Sequence, residues 1–355
     1  MKLQRFNKIF DYIFFISTCV FIALGCLGIF ETAVIVYGTL NAILALGYKL
    51  IKTRSIELPQ NFGLYLILVL IILIHTYLLH GAYLFSWLFL SGGLYWLMVY
   101  NFNDLYAKNL TFILVTIGLL MGIIYFYSLA NPISVPNLSS LFAAPTNFLK
   151  HSNLGDLWAV VLVSLSPVII SRRISTLIPI YVIGIYFMII SYSRTALVGL
   201  TVGTFYTVLQ LKTNYKKTII LILLTIMSLL FVYISLSKTT IFDRPYFWQA
   251  IVGLTKYPVG VGMGNFNKVS TLTNYVHDLP LEMVSGLGLF SIIFLAWLYG
   301  VLRRIFQKKN QINVEATGVF LTIFTVFLFD TTYTIPGMIW MLFTSLALSE
   351  AKNPY

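Results

Sequence analysis

Charge is what this sequence has least of. Only 10% of its 355 residues are Asp, Glu, Lys or Arg, whereas a soluble domain carries about a quarter. Apolar residues make up 59% and the mean hydropathy is +0.89, so the excess apolar surface needs lipid to face. That excludes a secreted disulfide scaffold, a nucleic-acid binder and a disordered chain. Cysteine is nearly absent too. Cys19 and Cys26 fall seven residues apart in one apolar run, about 10.5 Å along a helix, which is beyond disulfide reach. No DxD, HExxH or Cys/His cluster offers a metal site and no Walker loop offers a nucleotide site, so no cofactor is expected. Repeats, low-complexity tracts and a soluble domain are also missing, and residues 1–355 read as a single integral membrane domain.

A span needs roughly 20 mainly apolar residues. Punctuating the chain by its charges gives twelve, at about 10–30, 32–50, 62–80, 82–100, 110–129, 155–171, 175–191, 194–211, 218–236, 281–302, 314–331 and 334–349. The fold expected is therefore an all-α polytopic membrane protein. The first run follows Met1-Lys2-Leu3-Gln4-Arg5 but is too long, and lacks the small-residue site, for a cleaved signal peptide. Placing the N-terminus in the cytoplasm puts every cluster of Lys and Arg inside. Of the 23 basic residues only Lys150, Arg194, Lys238, Arg244, Lys256 and Lys268 fall outside. Most of the +12 net charge is thus topology, and both termini are cytoplasmic. Two outer loops are long, 130–154 and 237–280, and loops of that length are usually functional or disordered.

The chemistry-bearing residues lie at those outer positions. Arg194 sits in Ser191-Tyr192-Ser193-Arg194-Thr195, at the start of the eighth span. A helix N-terminus already carries about half a positive charge, so an arginine there invites an anion. Phosphate oxygens suit a guanidinium with Ser191, Ser193 and Thr195 as extra donors; the alternative is an arginine that snorkels to water or pairs with Asp243 or Asp278. Arg244 follows Asp243, a plausible N-cap, and precedes Pro245, so a helix is expected over 244–256. Phe247, Trp248, Ile251 and Val252 would give it one apolar face lying along the membrane surface. Gly260, Gly262 and Gly264 then alternate in a turn, read more readily as a plain loop than as a phosphate nest. His277 precedes Asp278, with Glu282 four residues on. A neutral imidazole there suits removal of a hydroxyl proton, with a carboxylate orienting it. Asp330, near the outer end of the eleventh span, is a membrane carboxylate that fits the same site. His151 in the other loop is a weaker base, and His75 and His80 read as packing residues.

Three segments in order, Ser191–Ala196 with Arg194, then Arg244 with Trp248 and the glycine run, then His277-Asp278 before Gly288, resemble the O-antigen ligase and Wzy-type polysaccharide polymerase superfamily. The resemblance covers roughly 150–300. It implies a GT-C-like, metal-independent, inverting glycosyltransferase of the bacterial cytoplasmic membrane that works on the outer face. Its donor and acceptor would be undecaprenyl-diphosphate-linked oligosaccharides, with a flippase and a chain-length regulator as pathway partners. By that resemblance Arg194 and Arg244 bind the lipid diphosphate and His277 lies near the acceptor hydroxyl. Lys150-His151-Ser152-Asn153 matches the family's Asn-bearing stretch, which brings Asn153 into the substrate site. The family often has Asn after the histidine and Glu two residues before the glycine, where this chain has Asp278 and Gly286. The Thr-Trp that ligases show after the glycine is replaced by Leu289-Phe290, which favours polymerase over ligase. A secondary transporter is the expectation from another class, because twelve spans with both termini inside suit it as well.

Overall fold

Apolar runs of about 20 residues in lipid have one way to satisfy their backbone groups, which is to coil into helices. The computed structural model describes residues 2–27, 31–130, 151–172, 177–191, 193–210, 245–270, 276, 278–307 and 313–350, and among them there is no strand. Helices α1 (Lys2–Leu27), α2 (Glu31–Thr53), α3 (Phe62–Leu79), α4 (Tyr83–Asn101) and α5 (Asn103–Ala130) come first. After them come α6 (His151–Arg172), α7 (Ile178–Ser191), α8 (Arg194–Gln210), α9 (Pro245–Lys256), α10 (Leu279–Leu287), α11 (Ser291–Gln307), α12 (Val314–Phe327) and α13 (Pro336–Glu350). Among the described residues six stretches are long and apolar enough to cross a membrane: Lys8–Leu27, Thr32–Thr53, Phe62–Leu79, Tyr83–Asn101, Asn103–Phe126 and Leu279–Gln307. The chain is an all-α, multi-pass membrane protein. The expected span at 218–236, loop residues 131–150 and 211–244, and His277 lie outside the described residues.

The expected tenth span, 281–302, is interrupted. Gly288 adopts φ 58° and ψ −134° and opens a 3₁₀ turn, Gly288–Phe290, between α10 and α11. A side chain at that φ is strained, and a Cβ there would also strike the backbone of Pro258 and Gly260. The N–H of Leu289 instead donates to the Pro258 carbonyl at 2.8 Å.

Burial divides the helices by role. In α6 every residue from Leu154 to Ser166 is buried, as are Ala316–Phe327 of α12 and Pro336–Ser349 of α13. These three form the centre, and α8 packs against both α6 and α12. Such helices face other helices all round, so they tolerate many Ser and Thr, whose hydroxyls return to backbone carbonyls, as Thr322 does to Gly318 at 2.9 Å. Gly199 and Gly203 on α8, spaced four apart, meet Thr322 and Gly318 of α12 so closely that a Cβ would collide with carbonyl oxygens. That is how two backbones approach without a hydrophobic driving force. Helices α1–α3 are different: Ile13, Ile16, Leu44, Leu70 and Ile74 are exposed and supply the lipid-facing surface.

Aromatic rings lock α3, α4, α11 and α13 together. Tyr65 meets Trp96, Trp297 and Phe343 at centroid distances of 5.6, 5.3 and 5.1 Å. At the end of the bundle where α4, α11 and α13 finish, Arg304 pairs with the buried Glu350 at 3.1 Å, and the Trp96 indole donates to the same carboxylate at 3.2 Å. The opposite end gathers the α3–α4 turn, residues 257–270 and the starts of α6, α8 and α10.

Candidate functional site at the start of α8

Helix α8 begins where Ser193 caps it, its Oγ accepting the Ala196 N–H at 3.1 Å. Ser191 secures the turn from the other side, its Oγ accepting the Ser193 N–H at 3.3 Å. Gly155 of α6 packs against this turn, and a Cβ there would overlap Ser191 and Ser193. One residue further along α6 stands Asp156, fully buried. Its Oδ1 accepts from Ser193 Oγ and from Thr195 Oγ1, both at 2.7 Å. The two hydroxyl oxygens lie 2.9 Å apart. Asp156 Oδ2 is buried without a hydrogen-bond partner.

Arg194 lies between these two hydroxyl residues and is partly exposed. Among the described residues nothing forms an ion pair or hydrogen bond with its guanidinium. The alternative pairing with Asp278 is not made, because Asp278 is used elsewhere, and Asp243 lies outside the described residues. The electrostatic expectation needs one correction. A built-in carboxylate, Asp156, already stands beneath the positive end of α8, on the interior side of the turn. Arg194 is on the accessible side of that turn, so an external anion would meet the guanidinium while Asp156 holds Ser193 and Thr195 behind it.

Asp156 is not among the residues that sequence patterns single out. A signal existed, because an acidic residue within an apolar run is costly and marks function or a specific partner. Asn153 lies three residues earlier on α6, on the same helical face. Asp330 follows the end of α12, its N–H donating to the Val326 carbonyl at 3.0 Å, and its carboxylate is an electrostatic neighbour of Asp156. The structure thus brings Arg194, Asn153 and Asp330 to one end of the α6–α8–α12 trio; Ser193 is there too, but it is buried and its hydroxyl proton goes to Asp156, so it is not the phosphate donor expected.

The second group of expected residues is employed differently. Glu282, fully buried on α10, accepts from the Gly264 N–H at 2.9 Å and the Val276 N–H at 3.0 Å, and the Tyr333 hydroxyl approaches the same carboxyl group. Both carboxylate oxygens are committed to pinning the loop, so Glu282 belongs to the scaffold and presents no free oxygen to a substrate. Asp278 caps α10, accepting from the Leu281 N–H at 2.8 Å. Burial pushes its carboxyl group up to about 6, against the lowering effect of that hydrogen bond. The glycine run is likewise internal. Gly260, Gly262 and Gly264 all have φ between 75° and 87°. Their N–H groups go to Tyr257 O, Gly286 O and Glu282 Oε1, which leaves none for a phosphate nest. The plain-loop reading holds, with the loop latched to the end of α10.

Helix α9 matches the helix expected over 244–256, with Ile251 and Val252 exposed. Trp248 lies in its first turn. Arg244 and His277 lie outside the described residues, but the residues flanking His277 are both held by α10: Val276 through Glu282, and Asp278 as its cap. His75 is buried, edge-on to Phe290 at 5.2 Å, and packs as expected; His80 does not, being exposed and ending α3 through its backbone, with φ 52° and its N–H on the Thr76 carbonyl. Among the described residues no three His, Cys, Asp or Glu side chains group as a metal site, and both cysteines are free.

No protein-family model matches the chain, and neither does a curated protein or a solved structure. The likeness to the ligase and polymerase superfamily therefore stands on the motifs around Arg194, Arg244 and His277 alone.

Proposed function

We propose that the chain is a polysaccharide polymerase. In this reading twelve GT-C-like spans, with both termini cytoplasmic, hold a site on the outer face of a bacterial cytoplasmic membrane, and capsule, exopolysaccharide or O-antigen chains are its products. The observation that carries it is the guanidinium of Arg194, which no described residue pairs, on a capped helix start at the end of the bundle where the loop bearing His277 is anchored. A cation held this way, without a counter-ion among the described residues, suits an anionic headgroup that arrives from the membrane.

The reaction is a displacement at the anomeric carbon. The acceptor hydroxyl oxygen bonds to C1 of the growing glycan, the C1–O bond to undecaprenyl diphosphate breaks, and the diphosphate leaves with the electron pair. Arg194, with Arg244, would stabilise the charge that gathers on the leaving group. His277 would take the hydroxyl proton, with Asp278 or Asp330 as the carboxylate nearby, and configuration would invert. Trp248 and Asn153 would contact the sugars. A ligase with a different acceptor would use the same donor site.

One observation favours a second reading. The buried Asp156, with two hydroxyls on one oxygen and Asp330 within electrostatic reach, is the kind of intramembrane carboxylate group that ion-coupled transporters use. One experiment separates the readings. Purified protein given only undecaprenyl-diphosphate repeat units should yield lipid-linked products differing by one repeat. Transfer only when a foreign acceptor is added would make it a ligase. Unchanged substrate under all conditions would reject glycosyl transfer and leave transport.

A further inference from the structure

Arg194 is only as useful as the turn that aims it, and that turn is held from outside its own helix. Ser193 and Thr195 flank Arg194, and both spend their hydroxyl protons on one oxygen of Asp156, at 2.7 Å each. Ser193 Oγ also receives the Ala196 N–H, so the carboxylate, the cap and the first turn of α8 form one connected unit. The anchoring atom sits on α6, a helix buried from Leu154 to Ser166, and Gly155 beside it lets α6 approach the turn without a Cβ between them. An arginine side chain has several rotatable bonds, but the backbone from which it starts has almost no freedom here.

A surface cap would need none of this. Ser193 alone satisfies the Ala196 N–H, and Thr195 could remain in solvent. Burying a carboxylate to collect both hydroxyls costs free energy, and the cost is higher because Oδ2 has no partner. We propose that Asp156 is the positioning residue of the diphosphate site: through Ser193 and Thr195 it fixes the start of α8, so that the Arg194 guanidinium is preorganised for the two phosphates of a polyprenyl diphosphate. This rests on the glycosyl-donor reading given above. Asp156 itself touches no substrate, and it acts only through the turn.

The role follows from one accepting oxygen and not from the charge, which sets it apart from a proton or cation carrier. In Asp156→Asn the amide oxygen can take the place of Oδ1 and keep both hydroxyls, while the amide nitrogen takes the place of the unpartnered Oδ2. Asp156→Ala removes the anchor altogether. Thr195→Val keeps the shape of Thr195 and removes one strand of the tie.

The test is the dissociation constant of undecaprenyl diphosphate, titrated into the purified full-length protein in detergent. Arg194→Ala should weaken binding by about a hundredfold, as loss of a charge-assisted bidentate contact does. Asp156→Ala should weaken it by about tenfold and Thr195→Val by a few-fold, because misplacement alone carries penalties of that order. Asp156→Asn should restore affinity to within about threefold of the native protein. The Arg194→Ala/Asp156→Ala double variant should bind no more weakly than Arg194→Ala. Additive losses in the double variant, or native affinity in Thr195→Val, would overturn the positioning role while leaving the donor reading intact. Loss in Asp156→Asn as deep as in Asp156→Ala would overturn it as well, because charge would then be what matters. If Asp156→Ala does not fold, Thr195→Val and Asp156→Asn decide the matter alone. A native protein that does not bind the lipid diphosphate at all would overturn the donor reading and the proposal together.

Discussion

Replacing Glu282 by alanine should open the loop at 257–276 without dismantling the bundle. The carboxylate is fully buried and accepts two backbone N–H groups, Gly264 at 2.9 Å and Val276 at 3.0 Å. Truncation leaves a buried donor on Val276 and a half-buried one on Gly264 without that partner, at roughly 1–3 kcal/mol each with the Gly264 donor at the low end. Part of that is returned because a buried carboxylate no longer has to be desolvated. A net loss of about 3 kcal/mol is the expectation. The tie is local, since Glu282 connects α10 to the loop and lies outside the α6–α12–α13 centre, so the cost should appear as loop opening. Lys268 is exposed in that loop and reports on it. At 1.4 kcal/mol per factor of ten, about 3 kcal/mol raises the open population roughly a hundredfold, and tryptic cleavage after Lys268 in detergent micelles should accelerate by about that factor. Glu282→Gln should fall between, because one amide oxygen still accepts while the amide nitrogen faces a second donor. Cleavage at Lys268 at the native rate in Glu282→Ala would refute the latch and free Glu282 for a role at the substrate.

Three further outcomes are expected. The Asp278 carboxyl, held at about 6 against an ordinary 3.8, binds its proton more tightly in the folded protein than in the unfolded chain. Stability therefore declines as pH rises from about 4 to 6 and levels off above, and Asp278→Asn should flatten that slope in thermal melts taken across this range, because Asn caps a helix equally well. Arg304→Ala should lower stability by about 3 kcal/mol, since it strands the buried Glu350 carboxylate, while Arg304→Met with Glu350→Gln should recover most of the loss; melting of both in the same detergent decides it. Ser55→Cys should resist an impermeant thiol reagent in intact cells and Lys268→Cys should react, since the basic clusters place the first inside and the second outside; labelling at Ser55 alone would invert the topology.

Much of the helix inventory was legible in the residues because the bilayer permits so little. Apolar length decides that a segment coils; charges mark its ends only roughly, since α1 runs through Arg5 and Lys8 and α5 through Asp104 and Lys108. Hence the expected spans 32–50, 62–80 and 82–100 fall on α2–α4, 10–30 overlaps α1, which starts at Lys2, and the helix expected at 244–256 falls on α9. Asp278 before Leu279-Pro280 marked a helix start in sequence, and it caps α10 in the structure. Arg194 stood out by sequence alone as a cation at a helix N-terminus.

What periodicity and composition leave undecided is which helices lie inside and what a polar side chain faces. The central α12 and α13 carry more Ser and Thr than the lipid-facing α3, but which neighbours their faces meet is decided only by packing. The break at Gly288 depends on a contact with Pro258, thirty residues earlier in the chain. Glu282 looked like a site residue because an acid near His277 is rare here, yet its two oxygens are filled by N–H groups of a loop that sequence could not fold back onto it. Asp156 went the other way. As one acid in an apolar run it has no pattern around it, and its meaning arises only when α8 brings Ser193 and Thr195 to the same oxygen from 37 and 39 residues away. A local pattern determines local structure because backbone hydrogen bonding in lipid must close within the segment. The environment of a buried carboxylate is made by whatever the fold sets against it.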